Sequence, residues 1–153
     1  MRLLLISLIF ATSLFSEELK VVADSFEADE KQGISVFSGN VTITKDTDVM
    51  KASKITIHID KKRHPVKYIA EGDVTFSIKT EDNSSYKGKA QKAVFSPDEK
   101  EYKFSGNVEL HQLNEKKTII GDVVFVNMLK GTAIAQGAKN RPVIMTFELK
   151  EKK

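Results

Sequence analysis

The chain has 153 residues, 29% charged and 41% hydrophobic, with a formal charge of +3 at neutral pH. That is one domain's length, enough to bury a core without covalent staples, and so small and evenly spread an excess of positive charge does not argue for nucleic acid. There is no cysteine, which excludes a disulfide framework, a thiolate metal site and a cysteine nucleophile.

Residues 1–16 read as a secretory signal: Met1-Arg2 gives a short positive start, and Leu3 to Phe15 is apolar apart from Ser7, Thr12 and Ser13. The run is shorter than the ~20 residues a bilayer span requires. Cleavage after Ser16, or alternatively after Ser13, leaves a polar start at Glu17-Glu18 and makes residues 17–153 one mature, exported domain. Losing Arg2 lowers the formal charge from +3 to +2.

From Leu19 onward the apolar residues alternate at period two, and no window carries a helical period, so the domain is expected to be all-β with at most a short helix near Glu17. The first strand is expected over Leu19 to Phe26, with Ala23-Asp24-Ser25 inside it. Phe37-Ser38-Gly39-Asn40-Val41 leads into Thr42-Ile43, and Ala52-Ser53 then opens Ile55-Thr56-Ile57. Lys61 to Pro65 reads as a polar turn, after which Ala70-Glu71-Gly72-Asp73-Val74 continues into Phe76 and Ile78. Ala90-Gln91-Lys92-Ala93-Val94-Phe95 follows, and Phe104-Ser105-Gly106-Asn107-Val108 repeats the earlier pentamer unchanged before Leu110. Gly121-Asp122-Val123-Val124-Phe125-Val126 comes next, then a worn Ala135-Gln136-Gly137 and a last strand over Val143 to Leu149.

The glycines at 39, 72, 106 and 137 lie 33, 34 and 31 residues apart, the self-similarity of one supersecondary unit used repeatedly. Gly-Asn also suits a two-residue hairpin. Parity favours a strand that runs through the glycine, because Phe37, Val41 and Ile43 then share a face, as do Phe104, Val108 and Leu110. A glycine within a strand marks a bend or bulge. The small residues Ala23, Ala52, Ala90 and Gly121 would bend the return strands, making each repeat a corner.

Stacked corners give an antiparallel β-jelly roll, V-shaped and open-ended, around an apolar interior. Its inner wall is expected to carry Phe26, Phe37, Val41, Ile43, Ile55, Ile57, Val74, Phe76, Ile78, Phe95, Phe104, Val108, Leu110, Val124 and Val126. The same pattern also describes an ordinary sandwich core that takes no ligand.

The order and spacing of Ala23-Asp24-Ser25, the two Phe-Ser-Gly-Asn-Val pentamers and Gly121-Asp122, behind a leader, resemble the LptA/OstA-like family of lipopolysaccharide export proteins of the periplasm. The resemblance runs from Leu19 to Leu149 and departs from the family at Ala52-Ser53 and at Ala70-Glu71 before Gly72. It implies a jelly roll that holds the acyl chains of lipopolysaccharide. It further implies copies joined end to end between an inner-membrane complex with an LptC-like subunit and an LptD-like outer-membrane translocon. Positions matching the family's lipid path are Leu19, Val21, Phe76, Ala93 and Phe95.

An open-ended jelly roll leaves edge strands able to pair with other chains. The middles of the first and last strands carry no blocking charge, so Val21 and Val22, and Val143, Met145 and Phe147, are the expected partner edges. The first edge is expected to face the inner-membrane side, the last the next copy or the translocon. His58, His64 and His111 are scattered, with no carboxylate or second histidine at ligand spacing, so no metal site or other cofactor is expected. No nucleophile elbow or phosphate loop points to catalysis. The basic groups Lys61-Lys62-Arg63, Lys116-Lys117 and Lys139-Asn140-Arg141 read as solvated turns, or as contacts to lipid phosphates at the groove mouth. Two other readings stay open: an inner-membrane-anchored LptC-like subunit, and a repetitive secreted β-protein for adhesion.

Overall fold

Ten antiparallel strands form one open sheet that folds over itself along a line of bulges. The structure, a computed structural model, describes residues 18–149. The strands are β1 (Leu19–Val22), β2 (Ser25–Asp29), β3 (Ile34–Lys45), β4 (Asp48–Ile59), β5 (Pro65–Lys79), β6 (Ser85–Ser96), β7 (Glu101–Gln112), β8 (Lys117–Asn127), β9 (Ala133–Gln136) and β10 (Ile144–Phe147). The order β1-β3-β4-β5-β6-β7-β8-β10 is that of neighbouring hairpins, with β2 also on β3 and β9 also on β8. No helix occurs among the described residues; the leader and Glu17 lie outside them.

Strands β3, β5 and β7 cross from one layer to the other at a glycine. In β3 the register jumps between Ser38 and Val41, so Gly39-Asn40 together face Ser53 of β4. Gly39 has φ 80° and Asn40 φ 47°, and the pairs Gly72-Asp73 and Gly106-Asn107 take the same left-handed values. Glycine carries no Cβ penalty there, and Asn and Asp are the side chains that tolerate it best. The repeat is therefore a bulge inside a continuing strand, as parity required, and the residue after each glycine belongs to the device. The return strand answers with the expected small residue: Ala52 faces Val41, Ala90 faces Val74 and Gly121 faces Val108. The next residue covers the glycine. Asn40 Nδ2 donates to Asp24 Oδ2 at 3.0 Å, and Ser53 Oγ donates to the Gly72 carbonyl at 3.3 Å.

The chain's two ends differ from the sequence expectation. The first strand is interrupted at Ala23-Asp24, so that β1 pairs with one half of β3 and β2 with the other. Gly137 makes no fourth corner: its φ is not left-handed, and a short turn bridged between Ala138 and Arg141 separates β9 from β10. The physical reason is Ala138, whose Cβ disfavours the conformation that Asn or Asp accepts in the other repeats. The last strand is also shorter than expected, spanning Ile144–Phe147.

Inward side chains form ladders across the sheet. One runs Phe37, Ile55, Ala70, Ala93, Phe104, Val124, Ala135. Another runs Val21, Ile43, Met50, Phe76, Gly88, Leu110, Ile119, Met145. Large residues stand next to small ones along both, which lets the layers interdigitate. Gly88 is decisive: a Cβ there would lie 2.7 Å from Phe76 Cζ, and its absence lets Phe76 lie flat on Phe104, ring centroids 3.9 Å apart.

Candidate functional site: an apolar cleft between the layers

The interior is not uniform. Between β5 and β8 it is packed shut: Val74, Phe104, Val108, Leu110, Val124 and Val126 are 0% exposed. Tyr86 joins them at 1% and donates its hydroxyl to the Gly131 carbonyl at 2.5 Å. Towards β1 to β4 the layers part around a narrow cleft with about 40 Å³ of free space, partly open at its mouth. Its lining is Leu19, Ile43, Val49, Met50, Ile55, Tyr68, Ala70, Phe95 and Tyr102, with Lys45 and Asp48 at the rim.

The expected inner-wall residues therefore divide by place. Leu19, Ile43, Ile55 and Phe95 line the cleft. Val41, Ile57, Val74, Phe76, Ile78, Ala93, Phe104, Val108, Leu110, Val124 and Val126 are buried outside the cleft lining. Val21 and Phe37 are half-buried against it. Phe26 stands opposite Phe37 with ring centroids 4.9 Å apart, but at the free edge it is 60% exposed. Of the expected partner edges, Val22, Met145 and Phe147 are exposed, while Val21 and Val143 are half-buried.

Met50, Tyr68 and Tyr102 belong to the cleft and were not anticipated. Parity carried one step further would have found the two tyrosines, since Tyr102 alternates with Phe104 and Tyr68 with Ala70. The aromatic wall is continuous: Phe95 stacks on Tyr102 at 4.5 Å and lies 5.8 Å from Tyr68, and Tyr102 stacks on Phe104 at 5.6 Å.

The rim carries a partly buried polar pair. Tyr102 donates its hydroxyl to Asp48 Oδ2 at 3.3 Å, and Asp48 Oδ1 accepts the Lys79 N–H at 2.9 Å. Burial pushes the Asp48 carboxyl above its usual range despite those two donors and the nearby Lys45. Burial, reinforced by that carboxylate, pushes the Tyr102 phenol far up. Lys45 Nζ lies 5.8 Å over the Phe95 ring.

Away from the cleft one sequence expectation is corrected. His111 does sit with a carboxylate: its Nε2 lies 2.9 Å from Glu109 Oε1 and its Nδ1 3.0 Å from Thr118 Oγ1. The two-residue spacing puts both side chains on the same outer face of β7. The hydrogen bond from His111, aided by Lys89 at 3.5 Å, holds the Glu109 carboxyl below its usual range. This is a surface pair. No group of three or more potential metal ligands occurs among the described residues.

Residues 20–132 match the family described as the LptA/(LptD N-terminal domain) LPS transport protein. The chain belongs to that family. The LptA-type domain thus takes in every long strand and every bulged corner. Among curated proteins, the chain is 27% identical over 125 residues to the lipopolysaccharide export system protein LptA of Haemophilus influenzae, a match covering 80% of this chain and 72% of that protein. Among solved structures it resembles LptH, the LptA-homologous periplasmic component of the lipopolysaccharide transport device of Pseudomonas aeruginosa, with a TM-score of 0.76 and 20% identity. That likeness covers 87% of this chain and 96% of LptH and shows the LptA-like fold.

Proposed function

We propose that this protein is a periplasmic carrier of lipopolysaccharide that holds acyl chains in the cleft between its two layers and passes them along a bridge from the inner-membrane transporter to the outer-membrane translocon. The observation that carries this reading is an apolar, aromatic-walled cleft in a domain of the LPS transport family. Each buried methylene contributes ~0.8 kcal/mol, so a chain of about a dozen carbons is worth roughly 10 kcal/mol gross against water. Release into water is then very slow. Transfer into an identical cleft exchanges equal apolar surfaces, so direction has to come from an energy source at one end of the bridge.

The free edges suit such a bridge. Neither β1 nor β10 has a partner on its outer side among the described residues, and unpaired edges recruit strands from other chains. In this reading β1, with Val21 and Val22, meets an LptC-like subunit. β10, with Met145 and Phe147 and the preceding Val143, meets the next copy or an LptD-like translocon. Residues 1–16 serve as the export signal and 17–153 as the mature domain, which works by binding and catalyses no reaction.

The test is to purify residues 17–153 and titrate lipopolysaccharide against a hydrophobic dye held in the cleft. Saturable displacement by lipopolysaccharide, with phospholipid much weaker, supports the carrier. Lack of displacement at micromolar lipid refutes it.

A further inference from the structure

The two layers are fastened unequally. On the β5 to β8 side, main-chain carbonyls accept across the gap: the Glu81 N–H donates to the Met128 carbonyl at 2.8 Å, and the Tyr86 hydroxyl to the Gly131 carbonyl at 2.5 Å. At the cleft the crossing bond joins two side chains, Tyr102 of one layer and Asp48 of the other, at 3.3 Å. That is looser than the ~2.7–2.8 Å common for a hydroxyl bond to oxygen.

Its position gives it a task. Lys45, Asp48, Phe95 and Tyr102 line both the apolar cleft and a second, polar space beyond it, which Asp46, Lys79, Glu81 and Lys100 also border. The bond therefore stands on the boundary between a greasy compartment and a wet one. Both ends are held in place: Asp48 by the Lys79 N–H at 2.9 Å, Tyr102 by its stacking on Phe95 and Phe104. An apolar chain offers neither partner a hydrogen bond, so a chain lying across the pair would cut the half-buried Asp48 carboxylate off from water.

We propose that the Asp48–Tyr102 hydrogen bond is a latch that parts to let an acyl chain enter or leave the cleft and re-forms behind it. Asp48 and Tyr102 are thus positioning residues that set the rates of loading and release. The inference rests on the carrier reading, and the experiment separates the two.

The mature chain is mixed in a stopped-flow instrument with lipid A bearing a fluorescent acyl tail, and loading and release are followed separately. Tyr102→Phe keeps the ring and removes the hydroxyl; Asp48→Ala removes the acceptor. Both rates should rise about tenfold in either variant, the change expected when a bond worth about 1.4 kcal/mol is lost. The two rates should rise together, since a latch closes over empty and loaded clefts alike. The double variant should be no faster than the singles. A role in packing alone would lower affinity and leave loading unchanged, and that result overturns the latch, as does a Tyr102→Phe protein with unaltered rates. Failure of the unaltered chain to bind the lipid removes the carrier reading and the latch together.

Discussion

Two substitutions on one ladder distinguish the packed interior from the cleft. Leu110 and Met50 lie on the same inward row, but Leu110 is 0% exposed between β6 and β8, whereas Met50 is half-buried in the cleft lining. Leu110→Ala removes a core side chain with no route for collapse, which costs about 3 kcal/mol and lowers Tm by roughly 10 °C. It leaves the cleft walls standing, so lipid capture by the folded protein should stay within about twofold of the parent. Met50→Glu forfeits only about 1 kcal/mol of apolar burial, because the carboxylate can reach out through the mouth. In the loaded protein, however, an acyl chain would seal that charge away from water at a cost of several kcal/mol, weakening binding at least about 100-fold. Thermal melts by circular dichroism and dye displacement by lipopolysaccharide read the two effects separately. If Leu110→Ala abolished capture in a folded protein while Met50→Glu kept it, the lipid would occupy the packed centre and the assignment of the cleft would be wrong.

Other outcomes follow from single features. Gly88→Ala should destabilise by about 1–3 kcal/mol, because the new Cβ meets the Glu109 carbonyl and the Phe76 ring; urea melts measure it. Gly106→Ala combines a backbone at φ 80° with a Cβ 2.7 Å from that of Gln91 and should lose a similar amount, while Ala135→Gly, outside any bulge, should lose less than about 1 kcal/mol. Asp48 gives a pH signature. Its carboxyl titrates above the ordinary 3.8 because of burial, so its contribution to stability is greatest below that value and is lost as pH rises through the raised one. Asp48→Asn never ionises, and its stability relative to the parent should climb from acid to neutral pH in urea melts taken across that range. A flat difference would contradict the burial of the charged form. Deleting residues 143–153 removes the β10 edge and should abolish end-to-end association in sedimentation, with lipid capture retained.

The repeat made the corners legible because left-handed backbone narrows the choice of residue sharply: Gly39, Gly72 and Gly106 each carry an Asn or Asp behind them. The same chemistry explains the failure at Gly137, where Ala138 follows. Strand parity located the inward face but not the depth of packing. Phe76 and Phe95 alternate alike, yet one is 5% exposed on Phe104 and the other walls the cleft. That difference depends on Gly88 opposite Phe76, a cross-strand neighbour that local periodicity does not reveal. The Asp48–Tyr102 pair spans 54 positions and appears only when two bent strands face each other. A charge at Ile57 or Phe76, each 5% exposed, would therefore strike the fold before the site, and Ile43, Met50 and Phe95 are the informative positions.

Because β3 to β8 each pass through both layers, the molecule resembles a book whose spine is the line of Gly-Asn and Gly-Asp bulges. The covers cannot slide past one another without breaking every ladder at once. Opening at the cleft side would keep the ladders and bend only the bulges, which already interrupt the pairing. For the carrier proposed above, a hinge of that kind would set the opening by degrees, so that one unmodified chain would serve glycolipids that differ in the number and girth of their tails.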